Sequence, residues 1–264
     1  MHAAHAKYLK MITQSDKKTD SYDASALARY LRSWDRGEAP LSLSYIPTRE
    51  EMRLKDLCRL REDVTGQIGD ETRKIKAHMV RNEQTLPFTH RDLKTIKSRR
   101  YIAENFSHDI TLTMRIETLV ILLDKAKRID QELQKIGNDD ENVRLLISIP
   151  GIGIRSAVQI MSMIIDVNRF EDSEKICSYF GLVPRVRSSG GKEIHGHMTK
   201  SGDPMMRCIL DRATYVHVCH CRSSITAFYE RKAAENKKKA LTSASRKMLC
   251  TIYAVLKRRT PFTA

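Results

Sequence analysis

At 264 residues, 41% hydrophobic and 30% charged, the chain can bury one large core or two modest ones, which excludes a low-complexity or disordered class. No apolar run approaches the roughly 18–20 residues of a membrane span, no signal-peptide pattern opens the chain, and the six scattered cysteines lack disulfide spacing; a cytoplasmic protein with no membrane partner is expected. The formal net charge is +15, and residues 185–264 hold 17 Lys and Arg against 5 Asp and Glu, so +12 of it lies there. Basic surface at that density suits a polyanion through counterion release, although a charge run alone is equally a solvated face.

The first predicted element is a helix in "KKTDSYDASALARYL", residues 17 to 31, within a first segment over 1–36. Asp20 and Asp23 stand three apart at its start. They read either as half of a metal-binding acidic cluster on one helix face, or as a cap with Asp20 at N-cap and Asp23 at N3. "GEAPLSLSYIPT", 37–48, reads as a linker. A long helix over about 50–80 follows, with Leu57, Leu60, Val64, Ile68, Ile75 and Met79 at helical steps. "NEQTLPFTHRD" breaks it. A second helix carries Ile116, Leu119, Leu123, Ala126, Ile129, Leu133 and Ile136 on one face until Gly137 and Asn138 stop it. Residues 49–140 therefore predict a helical arm, an antiparallel hairpin or coiled coil that spaces or pairs subunits.

Residues 141–264 predict a compact helical domain. "VRLLISIPGIGIRSAVQIMSMI", Val143 to Ile164, turns at Pro150, Gly151, Ile152 and Gly153, with Ile152 as a plug into the core. Free amides at the next helix's N-terminus suit phosphate. The segment resembles the helix-hairpin-helix of DNA-handling proteins, with Gly151, Gly153 and Arg155 at the backbone; a plain αα-turn with a glycine cap is the alternative. "RVRSSGGKEIHGHMTKSGDPMMRCIL", Arg185 to Leu210, reads as a loop in which Ser188 and Ser189 precede two glycines among Arg185, Arg187, Lys192 and Lys200. Cations and open backbone suit attack on a phosphodiester, yet Ser-Gly pairs are more often ordinary turns. His195, His197, His217, Cys219, His220 and Cys221 lack the paired spacing of zinc sites and read as buried or incidental.

In this order the pieces resemble the DEDD-type insertion-sequence transposases, the family of the Piv DNA invertase and the RNA-bridged recombinases. "KKTDSYDASALARYL" is similar to the block closing the family's RuvC-like (RNase H-like) catalytic domain, and "IPGIGIRSAVQIMSMI" to the hairpin opening its C-terminal domain. "YFGLVPRVRSSGGKEIHGHMTKSGDPMMRCIL" is similar to its G-L-x-P-x-x-x-S-G…K-x-G-[DN]-x-x-x-R-x-x-L block. The resemblance implies that Asp20 and Asp23 are two of four acids holding Mg²⁺, and that Ser189, with Ser188 as its rival, is the nucleophile. It also implies DNA as partner, a guide RNA as a further one, and a homodimer or tetramer. The family's first two acids lie well upstream, whereas the 19 residues before Asp20 hold one acid, Asp16, and no buried-strand run. The expectation is thus a mainly α protein with a RuvC-like remnant, a helical arm and a C-terminal helical domain, N-terminally truncated and inactive alone. A non-catalytic nucleic-acid-binding remnant is the alternative.

Overall fold

The computed structural model describes residues 3–4, 19–38, 43–84, 87, 92–189 and 192–263; for residues 3, 4, 43, 186–189 and 192–195 it describes the backbone only. The chain divides into two compact units, Met1–Met52 and Arg53–Ala264. Among the described residues no helix is long and apolar enough to cross a membrane.

In the first unit, helix α1 spans Asp20–Asp35. Its N-cap is Thr19, whose side chain accepts from the Tyr22 amide, so the cap predicted at Asp20 lies one residue earlier. Two short strands, β1 (Ala3–Ala4) and β2 (Leu43–Ser44), pair antiparallel. Thr48 and Glu51 then exchange bonds: the Thr48 amide donates to Oε2 of Glu51 at 2.7 Å, and the Glu51 amide to Oγ1 of Thr48 at 3.2 Å. This reciprocal cap starts helix α2 (Arg49–Arg81) where the sequence placed it.

In the second unit α2 runs against helix α4 (Ile110–Asp139), after a 3-10 turn (Asp92–Lys94) and helix α3 (Ile96–Asn105) that the periodicity did not separate. Arg61 pairs with Asp130, Glu71 with Arg115 and His78 with Asp109, at 2.8, 2.9 and 2.6 Å. Partners descend along α4 as they ascend along α2, so the two helices are antiparallel. Val64, Ile68, Ile75 and Met79 face Ile116, Leu119, Ala126, Ile129 and Leu133 within one buried seam. Leu60 and Ile136, assigned to that seam, are 50% and 41% exposed, and Leu122 rather than Leu123 is buried. Gly137 does not stop α4. It is buried inside the helix, where an added Cβ would fall 2.7 Å from Val158 Cγ2. Its missing side chain lets helix α6 (Ile154–Ile164) approach. Asp140 ends α4 and caps α5 (Glu141–Ile147).

Helix α6 is apolar on nearly every side and lies inside the domain. It packs on α4, α5 and α8 (Pro204–His220), and α7 (Ser173–Tyr179), α9 (Ser224–Ala233) and α10 (Lys237–Arg258) complete the domain. The last packs on α5, α7, α8 and α9 through Ala244, Met248, Leu249, Ile252 and Leu256. Where a loop was predicted, strands β3 (Pro184–Ser189) and β4 (Lys192–Met198) form an antiparallel hairpin with Ser189 opposite Lys192. Gly190 and Gly191 lie outside the described residues.

Candidate nucleic-acid and metal sites

Asp20 and Asp23 occupy the first turn of α1, one turn apart, where carboxylates also favour the helix dipole. Because Thr19 caps the helix, neither aspartate is used as the cap. Asp20 is exposed, while Oδ1 of Asp23 is buried with no hydrogen-bond partner. A bare carboxylate oxygen suits a hard cation, which binds through one or two carboxylates together with water and substrate phosphate. The pair therefore fits half of a Mg²⁺ site. Among the described residues, no group of three or more His, Cys, Asp or Glu is gathered as a full cage would require; Asp16 lies outside them.

The serine block is held at its root by backbone meeting backbone. Gly181 (φ 69°) and Gly202 (φ 78°) sit where the segment 179–182 crosses the segment 200–202. A Cβ on Gly181 would overlap the Ser201 carbonyl oxygen, and one on Gly202 the Tyr179 carbonyl oxygen. The Lys200 amide donates to Gly181 O at 3.2 Å and the Thr199 amide to Val183 O at 2.9 Å. From α8, Nη1 of Arg207 donates to Phe180 O at 3.1 Å and Ser201 O at 3.0 Å, tying both segments to the helix. Sequence reasoning did not single out Gly181, Gly202 or Arg207 as a unit, although all three recur in the family pattern. The hairpin rises from this crossing and ends at Ser189. The side chains of Arg187, Ser188, Ser189, Lys192 and His195 lie outside the described residues. Arg185 and Lys200 are exposed at the hairpin's base.

The Pro150 turn is drawn toward the interior. Ile152 is buried as its plug. Gly151 (φ 97°) lies against α8, where a Cβ would overlap the Ala213 carbonyl oxygen. Its glycine is thus required by close packing. Buried His217 spans the same contact, with Nδ1 2.7 Å from Pro150 O and Nε2 2.7 Å from Ser223 Oγ, the N-cap of α9. Gly153, exposed, caps α6 without a side-chain bond and has open space around it. Arg155 leans toward Asp130, 3.8 Å away. Nearby Glu62 accepts from Gln159 at 2.9 Å and Arg212 at 3.0 Å. Burial alone would raise its carboxyl, but those two bonds and the charges of Arg212 and Arg155 hold it below the ordinary range.

A family model described as "Transposase IS116/IS110/IS902 family" matches residues 143–230, and the DEDD transposase model of the IS110 type, described as "Transposase", matches residues 1–82. The chain is similar to the transposase for insertion sequence element IS1111A of Coxiella burnetii, 27% identical over 49% of this chain and 37% of the relative. It is 25% identical to the putative transposase y4qE of Sinorhizobium fredii over 76% of this chain and 48% of that one. With the pilin gene-inverting protein of Moraxella lacunata it shares 26% identity over 98% of its own length and 71% of the relative's. The chain thus spans less than half the length of the two transposases.

Proposed function

The chain belongs to the DEDD-type insertion-sequence transposases, the family that includes the pilin gene-inverting proteins, and from that premise we propose that it binds DNA and acts in serine-mediated strand exchange. Ser189, with Ser188 beside it, is the nucleophile of the proposal. Its Oγ attacks a backbone phosphorus, the displaced deoxyribose oxygen leaves with a proton, and the DNA end stays on the serine until a second hydroxyl takes it. Asp20 and Asp23 would hold Mg²⁺, which would offset charge developing on the phosphate. The single observation carrying the reading is the placement of Ser189 at the end of a strand whose base is locked by the Gly181–Gly202 crossing. A nucleophile needs such a rigid support, since misplacement by an ångström costs roughly a hundredfold in rate. The amides at Gly153 and the cations Arg155, Arg185, Arg187, Lys192 and Lys200 grip backbone without reading sequence.

The test is capture of a covalent adduct. With Mg²⁺ and an insertion-sequence end, and with a relative's upstream catalytic segment supplied in trans, the expected product is a detergent-resistant protein–DNA adduct on the peptide holding Ser188 and Ser189. Ser189→Ala abolishes it; Asp20→Asn and Asp23→Asn lower it at least tenfold. An adduct that persists in a Ser188→Ala/Ser189→Ala double variant sinks the nucleophile.

Asp20 and Asp23 stand in the first turn of α1, where carboxylates stabilise a helix without any metal, and this favours a second reading: nucleic-acid binding without chemistry. In that case binding is unchanged in every variant above and no adduct forms in any arm. A guide RNA and a second copy of the chain belong to the proposal as partners. In support of the second copy, α4 exposes Ile110, Met114 and Ile121 along one face. Sedimentation of the chain with and without RNA separates these partners.

A further inference from the structure

Beside the hairpin root lies a cleft of about 840 Å³ that brings together basic side chains far apart in sequence. His197 from β4, Lys200 from the crossing loop, Arg207 from α8, and Lys238 and Lys239 from the first turn of α10 line it, with Asp211 as the acid among its lining residues. Several other cations of this unit meet carboxylates: Arg59 and Lys55 meet Asp203, and Arg212 meets Glu62. Lys200, Arg207, Lys238 and Lys239 form no ion pair with a carboxylate among the described residues. Asp211 is already engaged, accepting from Ser245 Oγ at 2.6 Å. Four cations against one occupied carboxylate leave a concave positive potential, which focuses on an anion more strongly than a flat basic face does. Its volume falls in the range of ligand pockets, about 300–1,000 Å³, and so suits a short piece of backbone entering the cleft.

We infer that this cleft is a phosphodiester-binding site that seats the nucleic-acid backbone next to the serine hairpin, with Lys200, Lys238 and Lys239 as the phosphate contacts. Arg207, its Nη1 committed to backbone carbonyls, adds charge and fixes the cleft wall. The inference rests on the nucleic-acid reading above and assigns the main grip to the hairpin root, since the Pro150 turn is packed against α8. The two ends of the site come from opposite sides of the sequence block: Lys200 from the serine motif, and Lys238 and Lys239 from the tail helix that caps on Asn236.

The test compares two charge-matched triple variants of the full chain, bound to labelled duplex DNA, single-stranded DNA and RNA of equal length across a salt series. Lys200→Gln/Lys238→Gln/Lys239→Gln removes the cleft lysines. Lys175→Gln/Arg222→Gln/Arg258→Gln removes three exposed cations of the same unit that do not line it. Each phosphate contact on a duplex contributes about 0.9 to the slope of log K against log salt, so the cleft variant is expected to lose about 2–3 from that slope and at least about tenfold in affinity at moderate salt. The control variant keeps the slope to within about one. Equal losses in both variants, or no loss in the cleft variant while wild-type binds, overturn the cleft. Failure of the wild-type chain to bind any of the three probes at low salt overturns the nucleic-acid reading itself, and the cleft's ligand with it. The probe showing the largest cleft-dependent loss identifies the backbone that occupies it. Circular dichroism of both variants must overlay the wild type for the comparison to count as a loss of contact.

Discussion

At Gly181 and Gly202 the backbone is itself the packing surface, and both residues hold a left-handed φ that side chains resist. Replacing either with alanine pushes a methyl group into a carbonyl oxygen. Gly202→Ala is expected to cost about 2–4 kcal/mol, adding a conformational penalty of about 1 kcal/mol to an overpacking cost of about 1–3 kcal/mol. Thermal unfolding should then fall by roughly 5–10 °C. A midpoint within a degree of wild type would show that the segments do not cross as described. Arg207 tests the same junction from the side-chain direction. Arg207→Lys keeps the charge but loses the planar fork, so stability should fall by about 1–2 kcal/mol while salt dependence of binding is retained.

Among the elements, the arm is where charge decides geometry. Asp109 caps α4 through the Leu112 amide at 3.0 Å and bonds Nε2 of His78 on α2 at 2.6 Å. The His78 bond first, and the Leu112 amide second, hold its carboxyl below the usual range. A carboxyl lowered by folding contributes stability that is fully present above the unfolded value of about 4 and is lost as pH falls through the folded value. Asp109→Asn keeps a capping side chain, since asparagine is as good an N-cap as aspartate, but removes the ionisable group. The wild-type arm should therefore lose stability more steeply than the variant below about pH 4 in acid titrations followed by helix content. Parallel curves would refute the assignment. Asp109→Ala, which also removes the cap, should cost about 1–2 kcal/mol at neutral pH.

For the molecule as a whole, Glu62 joins the arm to the C-terminal helices. Sitting on α2, it accepts from Gln159 on α6 and Arg212 on α8. Asp203, the N-cap of α8, meets Lys55 and Arg59 of the same helix α2. Residues Arg53–Ala264 form one compact unit, so calorimetry should show arm and C-terminal helices melting in a single transition. Glu62→Gln should lower that transition by about 1–2 kcal/mol through loss of a charged acceptor. A separate early arm transition in the wild type would mean that these bonds do not couple the two.

Reading residues in order recovered the elements that short-range pattern controls. The apolar steps of α2 and α4, the plug at Ile152 and the Thr48 start of α2 all follow from spacing and capping along one helix. The family blocks were legible too, because their glycines and charged residues stand at set intervals. What the pattern did not reveal was set across the fold. Gly137 looks like a stop because a glycine near a helix end usually is one; here α6 packs into the space it leaves. Asp20 looks like a cap because nothing in linear order says that Thr19 takes the bond. The serine segment looks like a loop because two adjacent glycines mark a turn without revealing whether its arms pair. Periodicity, capping and charge count are local quantities, and the amino-acid order determined them alone. The glycine crossing, the lysine-lined cleft and the packing of Gly151 on α8 depend on which distant backbone comes within van der Waals contact, and only the tertiary structure decided that.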